Sequence, residues 1–220
     1  MLIRIAQRGL LVVSAIPLIA ALLPSASPAV DADTFPTDRS AAIAAYEADP
    51  STWADGPVQY LMLPDEEKAW NKLSSVDDRR DFMKWFWDRR DDDLRDNANP
   101  ERDAFYQRVA QSNQRFAGIF PKGWKSDPGR VWVVLGRPDN IHNDGLTVTV
   151  WTYYTRGRHR AFTNAYGELQ LAFIESAPGQ KEIVGDLGVG VFPFELQQAF
   201  DYTRKAMIVN PDLQFHASSR

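Results

Sequence analysis

Gly129-Arg130-Val131-Trp132-Val133-Val134-Leu135-Gly136 is the stretch on which the fold turns. Its nearly continuous apolar run between two glycines reads as a strand covered on both faces. Just before it, Asp127-Pro128-Gly129 has the composition of a tight turn: Asp accepts a backbone N–H, Pro fixes φ, and Gly takes φ > 0. Just after it, Gly136-Arg137-Pro138-Asp139 ends the run and turns the chain. Upstream of this region the hydrophobic period is 3.6 residues; downstream it is 2.

The upstream half carries helix start signals. A short helix is expected around Ser40–Ala48. Pro64-Asp65-Glu66-Glu67 opens another, running through Trp70 and Leu73. Ser75 caps a helix over about 76–91 whose wide apolar stripe holds Phe82, Trp85 and Phe86. Asn99-Pro100 starts the next, with Phe105, Val109, Ser112 and Phe116 on one face, and these two helices are expected to pair antiparallel. Downstream, Leu146–Tyr154 and Glu168–Ile174 alternate as strands, and Ala161-Phe162-Thr163 is a candidate hairpin partner. The connections are too short for crossover helices, so the sheet is expected to be antiparallel. Pro193 opens a last helix presenting Leu196, Phe200, Thr203 and Met207 to the sheet. The expected fold is α+β, with N-terminal helices packed on a small antiparallel sheet and a C-terminal helix.

Composition narrows the function classes. The 220 residues are 44% hydrophobic and 12% aromatic, enough for a sizeable core and against a mainly disordered chain. Without cysteine there is no disulfide framework, thiolate metal site, cysteine nucleophile or lipid-modified cysteine. Arg4 and Arg8 precede the uncharged run Gly9–Leu23, and small residues stand at Ser27 and Ala29, the three parts of a secretory signal. At ~1.5 Å per residue that run falls short of the ~30 Å hydrocarbon core. The expected division is a signal at 1–29, a tail with a short helix at 30–59, one domain at 60–208 and a C-terminal tail at 209–220. The expected address is exported, periplasmic or extracellular, with membrane contact only through the signal before cleavage.

Charge is unevenly spread. Residues 30–103 hold 19 acids and 10 bases, whereas residues 104–168 hold 4 acids and 9 bases. The basic segment is small and the address extracytoplasmic, which argues against nucleic acid. Arg156, Arg158 and Arg160 fall within five residues and suit phosphate, sulfate or carboxylate groups. The crowd of Asp88, Asp91, Asp92, Asp93 and Asp96 with Arg89, Arg90 and Arg95 lacks the central Gly and closing Glu of a calcium loop and reads as a solvated connection. Gly185–Gly190 reads as a flexible loop. No serine elbow, zinc helix or phosphate loop occurs, so no catalytic residue, metal or cofactor is expected.

The stretch Gly123-Trp124-Lys125-Ser126-Asp127-Pro128-Gly129, followed by Gly136-Arg137-Pro138-Asp139, resembles the signature of the GWxTD domain family, with Ser126 at the Thr position. The likeness runs upstream through Arg79–Asp91 and Phe105–Phe116 and downstream through Trp151–Tyr154, over about residues 60–175. Family members look like exported bacterial proteins with no established activity, so the resemblance implies export and fold and supplies no reaction. A second likeness, of architecture only, is to small lipoproteins of the outer-membrane barrel-assembly machinery, through Leu135, Gly136, Pro138, Trp151, Tyr153 and Leu169–Phe173. The signature residues Gly123, Trp124, Ser126, Asp127, Gly129, Gly136, Pro138 and Asp139 are expected to serve architecture, Trp124 lying over the sheet as a lid; in the other reading Trp124 and Asp127 line a ligand cleft. The expected function is a binding or scaffolding module of the cell envelope recognising a protein or an anionic polymer, the Arg156/Arg158/Arg160 group being the candidate contact. The alternative is an envelope hydrolase of glycan or peptide using a carboxylate pair. Mass spectrometry of the exported protein is expected to find a chain starting after Ala29; retention of Met1 would instead mean an uncleaved anchor.

Overall fold

Capping chemistry sets where the front helices begin. The computed structural model describes residues 36–116, 123–145, 147–154, 167–185 and 188–217. The Asp38 carboxylate accepts from the Ala41 N–H at 2.8 Å and opens α1 (Arg39–Glu47). Pro64 opens α2 (Pro64–Trp70), with the Glu66 carboxylate reaching back to accept from the Leu63 N–H at 2.9 Å. Ser75 Oγ accepts from the Asp78 N–H at 3.0 Å ahead of α3 (Val76–Asp88). Asn99 does the same for the Arg102 N–H at 2.8 Å ahead of α4 (Pro100–Phe116). These starts coincide with the expected ones.

The expected strand at Val131–Leu135 is instead part of a helix, α5 (Asp127–Leu135). Asp127-Pro128-Gly129 is its first turn and not a separate tight turn, because Ser126 Oγ caps it by accepting from the Gly129 N–H at 3.1 Å. The run is apolar all round because α5 lies between two cores. Val133 belongs to a helical cluster with Phe86, Phe105, Tyr106 and Trp124. Val131, Trp132, Val134 and Leu135 belong to a second cluster with Trp151, Leu171, Phe173 and Ile183. A short apolar run buried on every side looks alike as helix or strand. Gly136, at φ 81°, ends the helix in the left-handed region.

Beyond Gly136 come β1 (Asn140–Asn143), β2 (Val148–Tyr154), β3 (Glu168–Ala177), β4 (Gln180–Gly185) and β5 (Gly188–Val189). They lie in that spatial order, each antiparallel to the next, as expected for the sheet. Within the Gly185–Gly190 stretch, expected as a flexible loop, Gly185 ends β4 and Gly188–Val189 form β5. The hairpin expected at 161–163 falls outside the described residues. Thr149, Trp151 and Tyr153 of β2 share the inner face with Leu169, Leu171 and Phe173 of β3 and Ile183 of β4, all buried. α6 (Phe194–Ala206) lays Leu196, Ala199 and Phe200 against α5 and this face. The architecture is α+β with a C-terminal helix. Among the described residues, no helix is long and apolar enough to cross a membrane.

Three further expectations change. α3 and α4 do not pair along their lengths: they meet near their junction, where the Trp87 ring stands 5.6 Å from Phe105 and 5.8 Å from Tyr106. α4 lies instead along α1 and α5. Trp124 sits in the helical cluster, 1% exposed, and not over the sheet. Arg89 and Arg90 are buried, whereas most of Asp92–Ala98 is exposed as expected. The fully buried Glu66 carboxylate draws both guanidinium groups inward, accepting from Arg89 at 2.8 Å and from Arg90 at 2.9 and 3.0 Å. Arg90 also donates to the Phe86 carbonyl at 2.9 Å and lies over the Phe86 ring at 3.6 Å. The chain after α6 seals this region: the Val209 and Asn210 N–H groups donate to the Arg89 carbonyl, and Phe215 packs on Phe82 and Trp85.

The turn before α5 approaches α4, and α5 approaches that turn, so closely that side chains are excluded. A Cβ on Gly123 would lie 2.2 Å from the Ser112 carbonyl oxygen, and one on Gly129 would lie 1.9 Å from the Gly123 carbonyl oxygen. The obstacle at each is backbone, which cannot rotate away. Gly129→Ala is therefore expected to lose about 3 kcal/mol of stability in urea denaturation, although alanine is the better helix former. A loss under about 1 kcal/mol would show that the crossing relaxes freely.

Candidate functional site

The signature residues form a joint among α1, α4, α5 and the sheet. Ser126 Oγ donates to the Gly123 carbonyl at 2.6 Å while capping α5. The Trp124 indole N–H donates to Tyr46 OH at 2.9 Å, and its ring meets the Tyr46 and Tyr60 rings edge-on. Burial pushes the Tyr60 phenol up to about 12 and raises that of Tyr46, so both are uncharged at neutral pH. The Asp127 carboxylate reaches across to accept from the Ile183 N–H of β4 at 3.0 Å. At the other end of α5, the Gly136 carbonyl accepts from Tyr153 OH at 3.0 Å, Pro138 is buried, and Asp139 accepts from the Tyr154 N–H at 2.8 Å. Both ends of α5 are thus bonded to the sheet.

A cleft of about 410 Å³ opens where the inner face of the sheet runs past the start of α5. Phe116, Trp132, Trp151 and Phe173 form its apolar lining, their rings 4.7 to 5.8 Å apart. Ile141 and Asn143 of β1 border it, as do Ser126 and Pro128. Its cations are Arg115, stacked over Trp132 at 4.8 Å, and Lys181, whose Nζ donates to Thr149 Oγ1 at 2.6 Å. Thr149 Oγ1 in turn donates to Asn143 Oδ1 at 2.8 Å. Among the described residues, neither cation has an ion-pair partner and no acid lines the cleft. An apolar floor with a few fixed polar groups is the usual make-up of a ligand site.

Residues 51–176 match the model of the GWxTD domain. The chain belongs to the GWxTD domain family. Comparison with curated proteins and with solved structures gave no match. In this GWxTD domain, the serine at the family's threonine position keeps the hydroxyl that bonds locally, as its two contacts demonstrate.

Trp124 and Asp127 do not line the cleft; of the signature stretch, Ser126 and Pro128 do. Arg156, Arg158 and Arg160 lie outside the described residues. A second hollow, of about 310 Å³, is bordered by Glu47, Asp88, Asp91 and Asp96, but Glu47 is ion-paired with Arg102 and Asp88 with Lys84. No group of described residues is arranged to hold a metal ion. Sequence reasoning missed Arg115 and Lys181. Arg115 is a helix-end cation like many others, and Lys181 lies in β4, whose Gln-Lys-Glu start carries no strand alternation.

Burial raises the Asp127 carboxyl above its ordinary range, while the Ile183 N–H and nearby Arg130 pull it back. A carboxyl raised on folding supports the fold when protonated. That contribution is present below its unfolded value and lost as pH rises through the folded one. Asp127→Asn keeps an acceptor for Ile183 and does not titrate. It is therefore expected to gain stability on wild type between about pH 3 and 7 in urea titrations, whereas Asp127→Ala loses about 1–2 kcal/mol throughout. Parallel pH profiles for wild type and Asp127→Asn would refute the raised carboxyl.

Proposed function

We propose that this GWxTD protein is an exported, non-enzymatic binding module of the cell envelope that recognises an anionic partner, protein or polymer, through the cleft beside α5. The observation that carries the reading is the pairing of an aromatic floor with two cations that no described acid neutralises. Carboxylate or phosphate groups gain most from such cations where water is partly excluded. The basic, apolar and small-residue segments of Met1–Ala29 support export. The signature residues are read as architecture, since each one resolved in detail spends its polar atoms on neighbouring backbone or on Tyr46. Arg156, Arg158 and Arg160, in the connection between β2 and β3, add positive charge to the same protein and are read as a further partner contact. A hydrolase using paired carboxylates draws no support from a cleft whose described lining holds none.

Co-purification from periplasmic extract tests the reading, with wild type, Arg115→Ala/Lys181→Ala and Arg156→Ala/Arg158→Ala/Arg160→Ala compared at low and high salt. Wild type is expected to retain an anionic partner in a salt-sensitive way, and the Arg115/Lys181 variant to lose about nine-tenths of it, one decade in affinity. Equal retention by that variant, with the fold intact, would remove the cleft from the proposal. Retention unchanged in the triple variant would remove the arginine cluster.

A further inference from the structure

The cleft opens beside an unfinished sheet. β1 is the terminal strand among the described residues, and all four of its residues are exposed. The Asp144 N–H donates to the Val148 carbonyl at 3.1 Å, which sets the phase of the β1–β2 ladder. Antiparallel strands alternate between pairs that exchange backbone bonds and pairs that do not. With Asp144 opposite Val148 in a bonded pair, His142 and Val150 form the next one. The N–H and C=O groups of Ile141 and Asn143 therefore point away from β2, toward the open edge.

The same two residues border the cleft through their side chains. Ile141 stands opposite Trp151 on the inner face and is still 42% exposed. A strand added along β1 would bond to the backbone of Ile141 and Asn143, and each of its residues opposite them would point over the cleft. Proteins usually blunt such an edge with charge, proline or a cover. β1 itself carries none of the first two; Asp139 and Asp144 flank it, their carboxylates accepting from the Tyr154 and Val148 N–H groups, and the cleft beside it is cationic through Arg115 and Lys181.

We propose that β1 and the cleft together take an extended acidic peptide segment of a partner protein, added as a sixth, antiparallel strand with an apolar side chain in the cleft. This deepens the binding reading above and rests on it. Charge decides the occupant: a second copy would bring its own Arg115 and Lys181 to the same surface, whereas an acidic strand neutralises both. Main-chain bonds supply affinity in this mode, and the alternate side chains supply choice.

The test uses the exported chain and a seven-residue capped probe, Thr-Glu-Thr-Phe-Thr-Glu-Thr, whose Glu and Phe side chains share one face. Binding is followed by calorimetry and by hydrogen exchange at Ile141 and Asn143. The probe is expected to bind saturably and to slow exchange at both amides. Methylating the Glu and Phe nitrogens, which face β1, is expected to weaken binding about tenfold or more, while methylating the Thr nitrogens, which face solvent, has little effect. Arg115→Glu/Lys181→Glu is expected to reduce affinity similarly, and a lysine-for-glutamate probe not to bind. If the two methylated probes bind alike, the strand addition is overturned and the anionic cleft stands. If the probe fails while polygalacturonate binds in an Arg115- and Lys181-dependent manner, the partner is a polysaccharide and this inference falls alone. If neither binds, both readings fall. Sedimentation showing a dimer with Ile141 and Asn143 already protected would assign the edge to a second copy.

Discussion

Everything in this fold hangs on α5 having no solvent side. Its Val133 completes the helical cluster and its Val131, Trp132, Val134 and Leu135 complete the cluster over the sheet, so one nine-residue helix closes two cores. Such a helix cannot be aligned by a polar face, and its ends must do that work. Ser126 and Asp127 fasten the start to the Gly123 turn and to β4, and Gly136 and Asp139 fasten the end to β2. Gly123 lets the turn before α5 come within backbone contact of α4, and Gly129 lets α5 come within backbone contact of that turn. In this chain Ser126, Asp127, Gly136 and Asp139 of the signature bond both ends of a helix that has no polar face to its neighbours.

This explains which parts were legible in the sequence. Ser75, Asn99 and Pro64 announce helices because capping is local chemistry, complete within four residues. The alternation of β2 and β3 is equally local, since one face of each is buried. The Val131–Leu135 run was misread because periodicity carries information only when one side of an element differs from the other, and α5 has no such difference. β1 escaped notice for the opposite reason: all four residues are exposed, so Asn140-Ile141-His142-Asn143 has no buried face to mark. The cleft was illegible for a third reason. Arg115, Ile141, Thr149 and Lys181 come from four elements and are brought together only by the docking of the sheet on α4 and α5.

Open surface and sealed core are divided accordingly. The Trp124 ring is buried and meets the Tyr46 and Tyr60 rings edge-on. The aromatic residues at the other end, from Phe116 to Phe173, line the cleft.

The charge cluster at Glu66 bears on how the protein comes apart. One carboxylate faces two guanidinium groups, and the partners belong to different segments: Glu66 to α2, Arg89 and Arg90 to the residues just after α3. Were either segment to peel away alone, it would strand the opposite charge in an apolar surround, a loss of ~3–5 kcal/mol for such a pair. The two segments are consequently obliged to leave, and to arrive, together. Partial opening of the front half is discouraged by electrostatics as much as by its aromatic rings, which makes that half a single cooperative block.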